Sequence, residues 1–185
     1  DISGKGISAA IITAVLSGFM YNADFSGDVD ALVQRLNAII LDTFKLEKYL
    51  TGFFAKFTEK TGFLEYCDMG HSWFFVVEGS SIQQIADQAD NVPVGLVADP
   101  EVTTRFLRIA PGTALALISD GLVEQENRLK EAFPIAEMGR IIGESIKNGE
   151  DLVKAKIRIF ETFFAFKKDM PQHDDISLLL FHYAE

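Results

Sequence analysis

The stretch Gly4-Lys5-Gly6-Ile7-Ser8-Ala9 admits two folds. As Gly-x-Gly-x-x-Ala it is a dinucleotide fingerprint, which needs a preceding strand, a surrounding βαβ unit and an acidic residue about 20 positions further on. As a pair of glycines at the mouth of a helix it is a tight turn, with Gly4 and Gly6 supplying the backbone freedom. The residues beyond it decide between the two. From Ile7 to Ala23 the chain is apolar, and Ala9, Ala10 and Ala14 favour helix. After a break at 22–27, Asp28 stands as an N-cap, and Ala31, Leu32, Leu36, Ile39, Ile40 and Phe44 recur at helical spacing. Two successive helices, 7–23 and 28–44, predict an antiparallel pair and leave no room for the strand of a βαβ unit. Lys5 is expected at the surface, near enough to the helix start to attract a phosphate.

Beyond Leu50 the apolar period changes to two. Thr51–Thr58 and Phe63–Met69 flank Glu59-Lys60-Thr61-Gly62 and read as a hairpin. Trp73–Glu78 and Ile82–Ala86 around Gly79-Ser80-Ser81 read as a second. Val102–Ile109 and Thr113–Ser119 around Pro111-Gly112 read as a third. Residues 131–149 and 150–168 are predicted helices, and Ile176–His182 a closing strand. Antiparallel strands segregated from paired helices imply an α+β fold. The expectation is a layered α-β-β-α sandwich, antiparallel sheets flanked by helix pairs, in one domain over 1–185. The chain opens at Asp1 without an initiator Met and is expected to be part of a longer polypeptide.

Charge and cysteine content remove several function classes. Lys+Arg 17 against Asp+Glu 27 gives a net charge of −10, unsuited to phosphate backbones or anionic membranes. No apolar run approaches the roughly 18–20 residues of a membrane span. Cys67 is the one cysteine, which excludes an internal disulfide and a multi-cysteine zinc site and suits a reducing cytoplasm. No arginine follows it in a Cys-x₅-Arg phosphate loop, so Cys67 is expected to be a core thiol.

The residues that invite chemistry are aspartates at strand ends. Asp1 precedes the glycine turn, Asp120 follows Thr113–Ser119 and is followed by Gly121, and Asp174 and Asp175 precede the last strand. A strand that ends in a carboxylate mounts that charge rigidly at the sheet rim, and clustered carboxylates suit hard cations such as Mg²⁺ and Mn²⁺. Asp120-Gly121 reads equally well as a plain turn.

Asp1-Ile2-Ser3-Gly4-Lys5-Gly6-Ile7-Ser8-Ala9-Ala10 resembles the Asp-Val-Ser-Gly-Lys-Gly-x-x-Ala-Ala signature of metal-dependent protein serine/threonine phosphatases, in the SpoIIE/RsbU-like bacterial branch of the protein phosphatase 2C superfamily. Further stretches agree in order: Thr51-Gly52-Phe53-Phe54 through Lys60-Thr61-Gly62, Gly70-His71, Val92-Pro93-Val94-Gly95-Leu96, Pro111-Gly112 through Ser119-Asp120-Gly121-Leu122-Val123-Glu124, and Gln172-His173-Asp174-Asp175-Ile176-Ser177-Leu178. The resemblance covers nearly the whole chain. It implies that Asp1, Asp120 and Asp174 hold two Mn²⁺ or Mg²⁺ ions, Asp1 bridging them and the Ile2 carbonyl helping with the second, and that metal-activated water hydrolyses a phosphoserine or phosphothreonine. Asp175, Gly121 and His173 are expected around that site. The implied substrate is a phosphorylated signalling protein, of the anti-anti-sigma-factor (STAS) type used in partner switching.

Some features depart from the family pattern. The acidic motif that precedes Asp-x-Ser-Gly-Lys-Gly in the family is absent, which by the resemblance implies that the sheet lacks its N-terminal strands, and Ser72-Trp73 stands where the family prefers prolines. The missing motif keeps open a second reading, a catalytically weak regulatory module that retains the phosphatase fold and binds its partner. The helix pair at 7–23 and 28–44 leads directly from the metal motif, so it is the expected surface for a homodimer or for control by an upstream sensor domain. His71 is expected in a turn, and His71, His173 and His182 lack metal-ligand spacing. Glu124 and Glu126 are expected to face solvent, and Phe160, Phe163, Phe164 and Phe166 to pack a helix on the sheet.

Overall fold

A computed structural model of the chain describes residues 1–4, 6–85 and 90–184. In chain order the elements are α1 (Ile7–Asn22), α2 (Val29–Phe44), β1 (Gly52–Thr58), β2 (Phe63–Met69), β3 (Phe74–Glu78), β4 (Ser81–Gln84), β5 (Arg105–Arg108), β6 (Ala114–Ile118), α3 (Asp120–Val123), α4 (Ile135–Lys147), α5 (Leu152–Lys167) and β7 (Leu178–His182). They form two compact units, Asp1–Ser72 with Gln88–Arg108, and Trp73–Asp87 with Ile109–Glu185. Each is a helix pair with an antiparallel sheet, the α+β composition expected. No described helix is long and apolar enough to cross a membrane.

The first unit carries the sheet β1-β2-β5. β1 and β2 pair from Gly52↔Met69 to Thr58↔Phe63 around the Glu59–Gly62 turn, as the alternation predicts. α2 turns Val29, Val33, Leu36 and Ile40 inward at helical spacing, onto Ile12, Leu50, Cys67, Met69 and Val94. Its start differs from expectation in one respect. Asp28 occupies the N-cap position, but its side chain makes no capping bond; Glu65 of β2 instead accepts the Val29 N–H at 2.8 Å. The helix is thereby capped by the strand it packs on. α1 has no charged residue along its 16 positions and buries only Ile12 completely.

The second unit carries the sheet β4-β3-β6-β7, all antiparallel. β6 is Ala-Leu-Ala-Leu-Ile, almost entirely buried, and lies between β3 and β7. Met138, Ile141 and Ile142 of α4 and Ala155, Ile159 and Phe163 of α5 complete its core. Phe133 meets Phe163 and Phe166 edge-on, both at 5.5 Å, so those rings do pack the helix inward, while Phe164 remains 51% exposed. α4 approaches the β3–β4 turn so closely that a Cβ on Gly143 would overlap the Gly79 carbonyl oxygen.

One expectation is overturned. Val102–Ile109 and Thr113–Ser119 do not form a third hairpin: β5 pairs with β2 in the first unit, and β6 pairs with β3 and β7 in the second. Burial explains the difference. β6 is apolar at every position and belongs inside a sheet, whereas Arg105-Phe106-Leu107-Arg108, exposed at three of four positions, suits an edge. The ends predicted for the second hairpin and for the phosphate-attracting Lys5 fall outside the described residues, at Ala86 and at Lys5 itself.

Candidate functional site

The second unit gathers Asp120, Gly121, His173, Asp174 and Asp175. Asp120 follows β6 and opens the four-residue helix α3, so the Asp-Gly pair is a strand-to-helix corner rather than a plain turn. The segment leading into β7 returns against this corner. The β6–β7 register, Ile118 opposite Leu178, continues one step to Ser119 and Ser177, where the Ser119 N–H donates to the Ser177 carbonyl at 3.0 Å. Ser119 Oγ donates to the Asp175 carbonyl at 2.9 Å and accepts the Ser177 N–H at 2.8 Å. Gly121 is fully enclosed at this crossing. A Cβ there would lie 2.7 Å from the Asp174 carbonyl oxygen and closer still to that of Asp175, so only glycine fits.

The two carboxylates are arranged alike. Asp120 Oδ1 accepts the Gly121 N–H at 2.7 Å, and Asp174 Oδ1 accepts the Asp175 N–H at 2.8 Å. In each, one oxygen is fixed by the backbone, and the ion pairs among the described residues engage neither carboxylate, nor Asp175. Asp120 is half-buried, whereas Asp174 and Asp175 are exposed. Oriented, unneutralised carboxylate oxygens fit a hard divalent cation. Within either unit, among the described residues, no three His, Cys, Asp or Glu side chains converge as they stand to hold a metal. His173 is exposed and is tied in through its backbone, its N–H donating to Gln125 Oε1 at 3.3 Å.

Asp1 and Ile2 belong to the first unit, where the glycine turn is anchored beside β1. The Asp1 backbone nitrogen donates to Thr51 O at 3.0 Å and Thr51 N–H donates to Asp1 O at 2.9 Å. Ile2 bridges Leu50, and Ser3 exchanges bonds with Tyr49 through its N–H and its Oγ, each at 3.0 Å. Gly4 and Gly6 then take φ of +96° and +71°, the left-handed backbone the turn reading requires. Asp1 is exposed and Ile2 half-buried. The hollow of about 550 Å³ beside Asn37, Asp42 and Asp99 in this unit is lined by neither.

Gln125 and Asp68 fall in none of the motifs, and Ser119, though inside the Ser119–Glu124 stretch, is given no role by it. Ser119 and Gln125 hold the 171–177 segment, and a serine or glutamine beside an Asp-Gly carries no pattern of its own. Asp68, 1% exposed, accepts the His71 and Ser72 N–H groups at 2.8 and 3.1 Å and so shapes the Gly70-His71 turn. Burial pushes its carboxyl above the usual carboxylate range, against the pull of those two N–H groups. Cys67 is a buried core thiol, as expected; burial raises it too, and Thr104 Oγ1 lies 3.5 Å away. Glu124 is exposed, whereas Glu126 is half-buried and pairs with Lys130 at 3.0 Å.

The family model described as Stage II sporulation protein E (SpoIIE) matches residues 1–184. The chain belongs to the SpoIIE family. No curated protein sequence matches it. Among solved structures, the SiaA-PP2C domain of Pseudomonas aeruginosa superposes with a TM-score of 0.78 at 15% identity, over 99% of this chain and 73% of that one. The RsbU and RsbW domains of Rv1364c from Mycobacterium tuberculosis give 0.75 at 18%, over 100% of this chain and 51% of that one. The catalytic domain of the serine/threonine phosphatase PstP of M. tuberculosis, in complex with two manganese ions, gives 0.65 at 14%, over 100% and 86%. The chain thus spans about half of the Rv1364c structure and most of the other two. At these identities the likeness establishes the fold: this SpoIIE-family chain has the fold of PP2C-type phosphatase domains.

Proposed function

We propose that the chain is a metal-dependent protein serine/threonine phosphatase that acts in the cytoplasm on a phosphorylated signalling protein of the STAS type. The observation that carries the reading is the corner at Gly121, where the backbone of Asp174 and Asp175 is pressed against the residue following Asp120. Asp120 and Asp174 are the donors the second unit would offer to Mn²⁺ or Mg²⁺, and Asp1 and the Ile2 carbonyl are those of the first. Two such ions, when bound, supply Lewis acidity and a water acidic enough to serve as nucleophile at neutral pH. The chain's own contribution is positional: Gly121 gives the close approach, Ser119 fixes the segment that carries Asp175 into β7, and Asp175 and His173 flank Asp174. Support comes from membership of the SpoIIE family along 1–184 and from the fold shared with PstP, whose structure contains two manganese ions.

The test is phosphate release from a phosphoserine STAS protein in Mn²⁺, in chelator, and with Asp120→Asn. Release that needs the metal and falls at least about 100-fold in the variant is expected, since removing even a residue that only orients a ligand costs 10–100-fold. Stoichiometric binding of the phosphoprotein without release, in any metal, overturns the enzyme in favour of the binding module.

A homodimer through α1 belongs to the same proposal. α1 is uncharged throughout, with Ile7 82%, Ile11 50% and Tyr21 91% exposed, and a charge-free face lets two chains of net charge −10 meet with least repulsion. Sedimentation should show a dimer that Ile11→Lys converts to a monomer. A monomeric parent chain rejects this surface.

A further inference from the structure

We infer that Gln125 is a positioning residue, which, with Ser119, pins the backbone on both sides of Asp174 and so fixes that carboxylate beside Asp120. The inference rests on the phosphatase reading only for its consequence, metal affinity; the pinning itself is independent of it. Gln125 follows α3 and is 0% exposed. Its Nε2 donates to the Glu126 carbonyl at 3.0 Å and to the Pro171 carbonyl at 3.2 Å, and its Oε1 accepts the His173 N–H at 3.3 Å. All three partners are backbone groups, two of them on the segment that carries Asp174. The amide has only one workable orientation, because turning it over would set its oxygen against two carbonyl oxygens. A buried amide left without such partners keeps its full desolvation penalty, so the pairing is held firmly.

The second pin is Ser119, through the Asp175 carbonyl and the Ser177 N–H. Asp120 lies between Ser119 and Gln125 in the chain, and Asp174 lies between the residues that they hold. Residues 173 and 175 are both tied down, leaving one residue step between them, and Gln172 Nε2 donates to the Asp174 carbonyl within that step at 2.8 Å. At a rise of about 3.3 Å per residue that step has little freedom to drift. Gln125 achieves this without charge. An acidic side chain in its place would add an anion next to the segment that carries Asp174, and a basic one would compete with a cation for that carboxylate.

The test uses the full chain with Gln125→Met, which keeps the length of the side chain and removes its hydrogen bonds, and Ser119→Ala, which releases the other pin should the buried methionine prevent folding. In metal-free protein, amide hydrogen exchange across 171–177 should rise by about tenfold or more, with exchange in β3 and β6 unchanged. Mn²⁺ titration should show affinity weakened about 10–100-fold, the range for residues that orient a ligand, while kcat at saturating Mn²⁺ returns close to that of the parent. A residue that merely stabilised the fold would lower the melting temperature and leave the Mn²⁺ requirement where it was. A folded Gln125→Met protein with unchanged exchange at 171–177 overturns the pinning. Changed exchange with unchanged Mn²⁺ affinity overturns its role in the site. A parent chain whose Mn²⁺ binding is insensitive to Asp120→Asn overturns the phosphatase reading instead, and the exchange result still decides for or against the pin.

Discussion

Asp68 and Gly121 show how much one position can constrain. Native Asp68 holds its proton more tightly than the unfolded chain does, because burial penalises its charge. Its ionisation therefore opposes folding, and Asp68's own contribution to stability falls as pH rises from about 4, the unfolded value, through the raised native value. Asp68→Asn cannot ionise, so its stability relative to the wild type should improve as pH rises from 3 to 7, measured by urea unfolding at each pH; a difference independent of pH would contradict the assignment. Gly121→Ala forces a methyl into the carbonyls of Asp174 and Asp175. It should cost about 1–3 kcal/mol in the same assay and weaken Mn²⁺ binding. The aspartates at 120 and 174 could be picked out from sequence because they stand at the ends of apolar strands. Ser119, Gln125 and Asp68 could not, since their roles are hydrogen bonds to backbone groups that no sequence pattern announces.

At the scale of elements, periodicity located both helix pairs and the β1–β2 hairpin, because each is defined by neighbours in sequence. It failed at β5 and β6. Adjacent strands joined by a Pro-Gly turn usually pair, but here the partners of β6 come from 74–77 and 178–182, and those of β5 from 63–66. Long-range pairing leaves no local trace beyond composition: the wholly apolar β6 against the arginine-flanked β5. The capping of α2 by Glu65 was hidden for the same reason. Close packing of α4 gives a prediction at this scale. Gly143→Ala would favour an isolated helix by about 1 kcal/mol, yet here the methyl meets the Gly79 carbonyl. Thermal unfolding should show a net loss of stability; a gain would mean that α4 stands further from the β3–β4 turn. Leu36→Ala, in the fully buried face of α2, should cost about 2–5 kcal/mol.

For the whole molecule, the net charge of −10 dominates over its exposed ion pairs, each worth about 0–1 kcal/mol. Raising NaCl from 20 to about 300 mM shortens the Debye length to below 10 Å and should relieve self-repulsion, raising the melting temperature by calorimetry. A fall would show that the ion pairs matter more. The chain crosses between its two units three times, after Ser72, before Gln88 and after Arg108, so neither unit is a continuous piece of sequence. That routing sets an order of events on the ribosome. The described strands of the first unit, β1, β2 and β5, have all been made once Arg108 has emerged, whereas β3, already made, must wait for β6 at 114–118 and β6 in turn for β7 at 178–182. A nascent chain stalled between those points would carry the paired β1, β2 and β5 and, between β2 and β5, the β3–β4 hairpin with Phe74, Phe75 and Val77 still in water. That loop is where a chaperone would be expected to bind during synthesis.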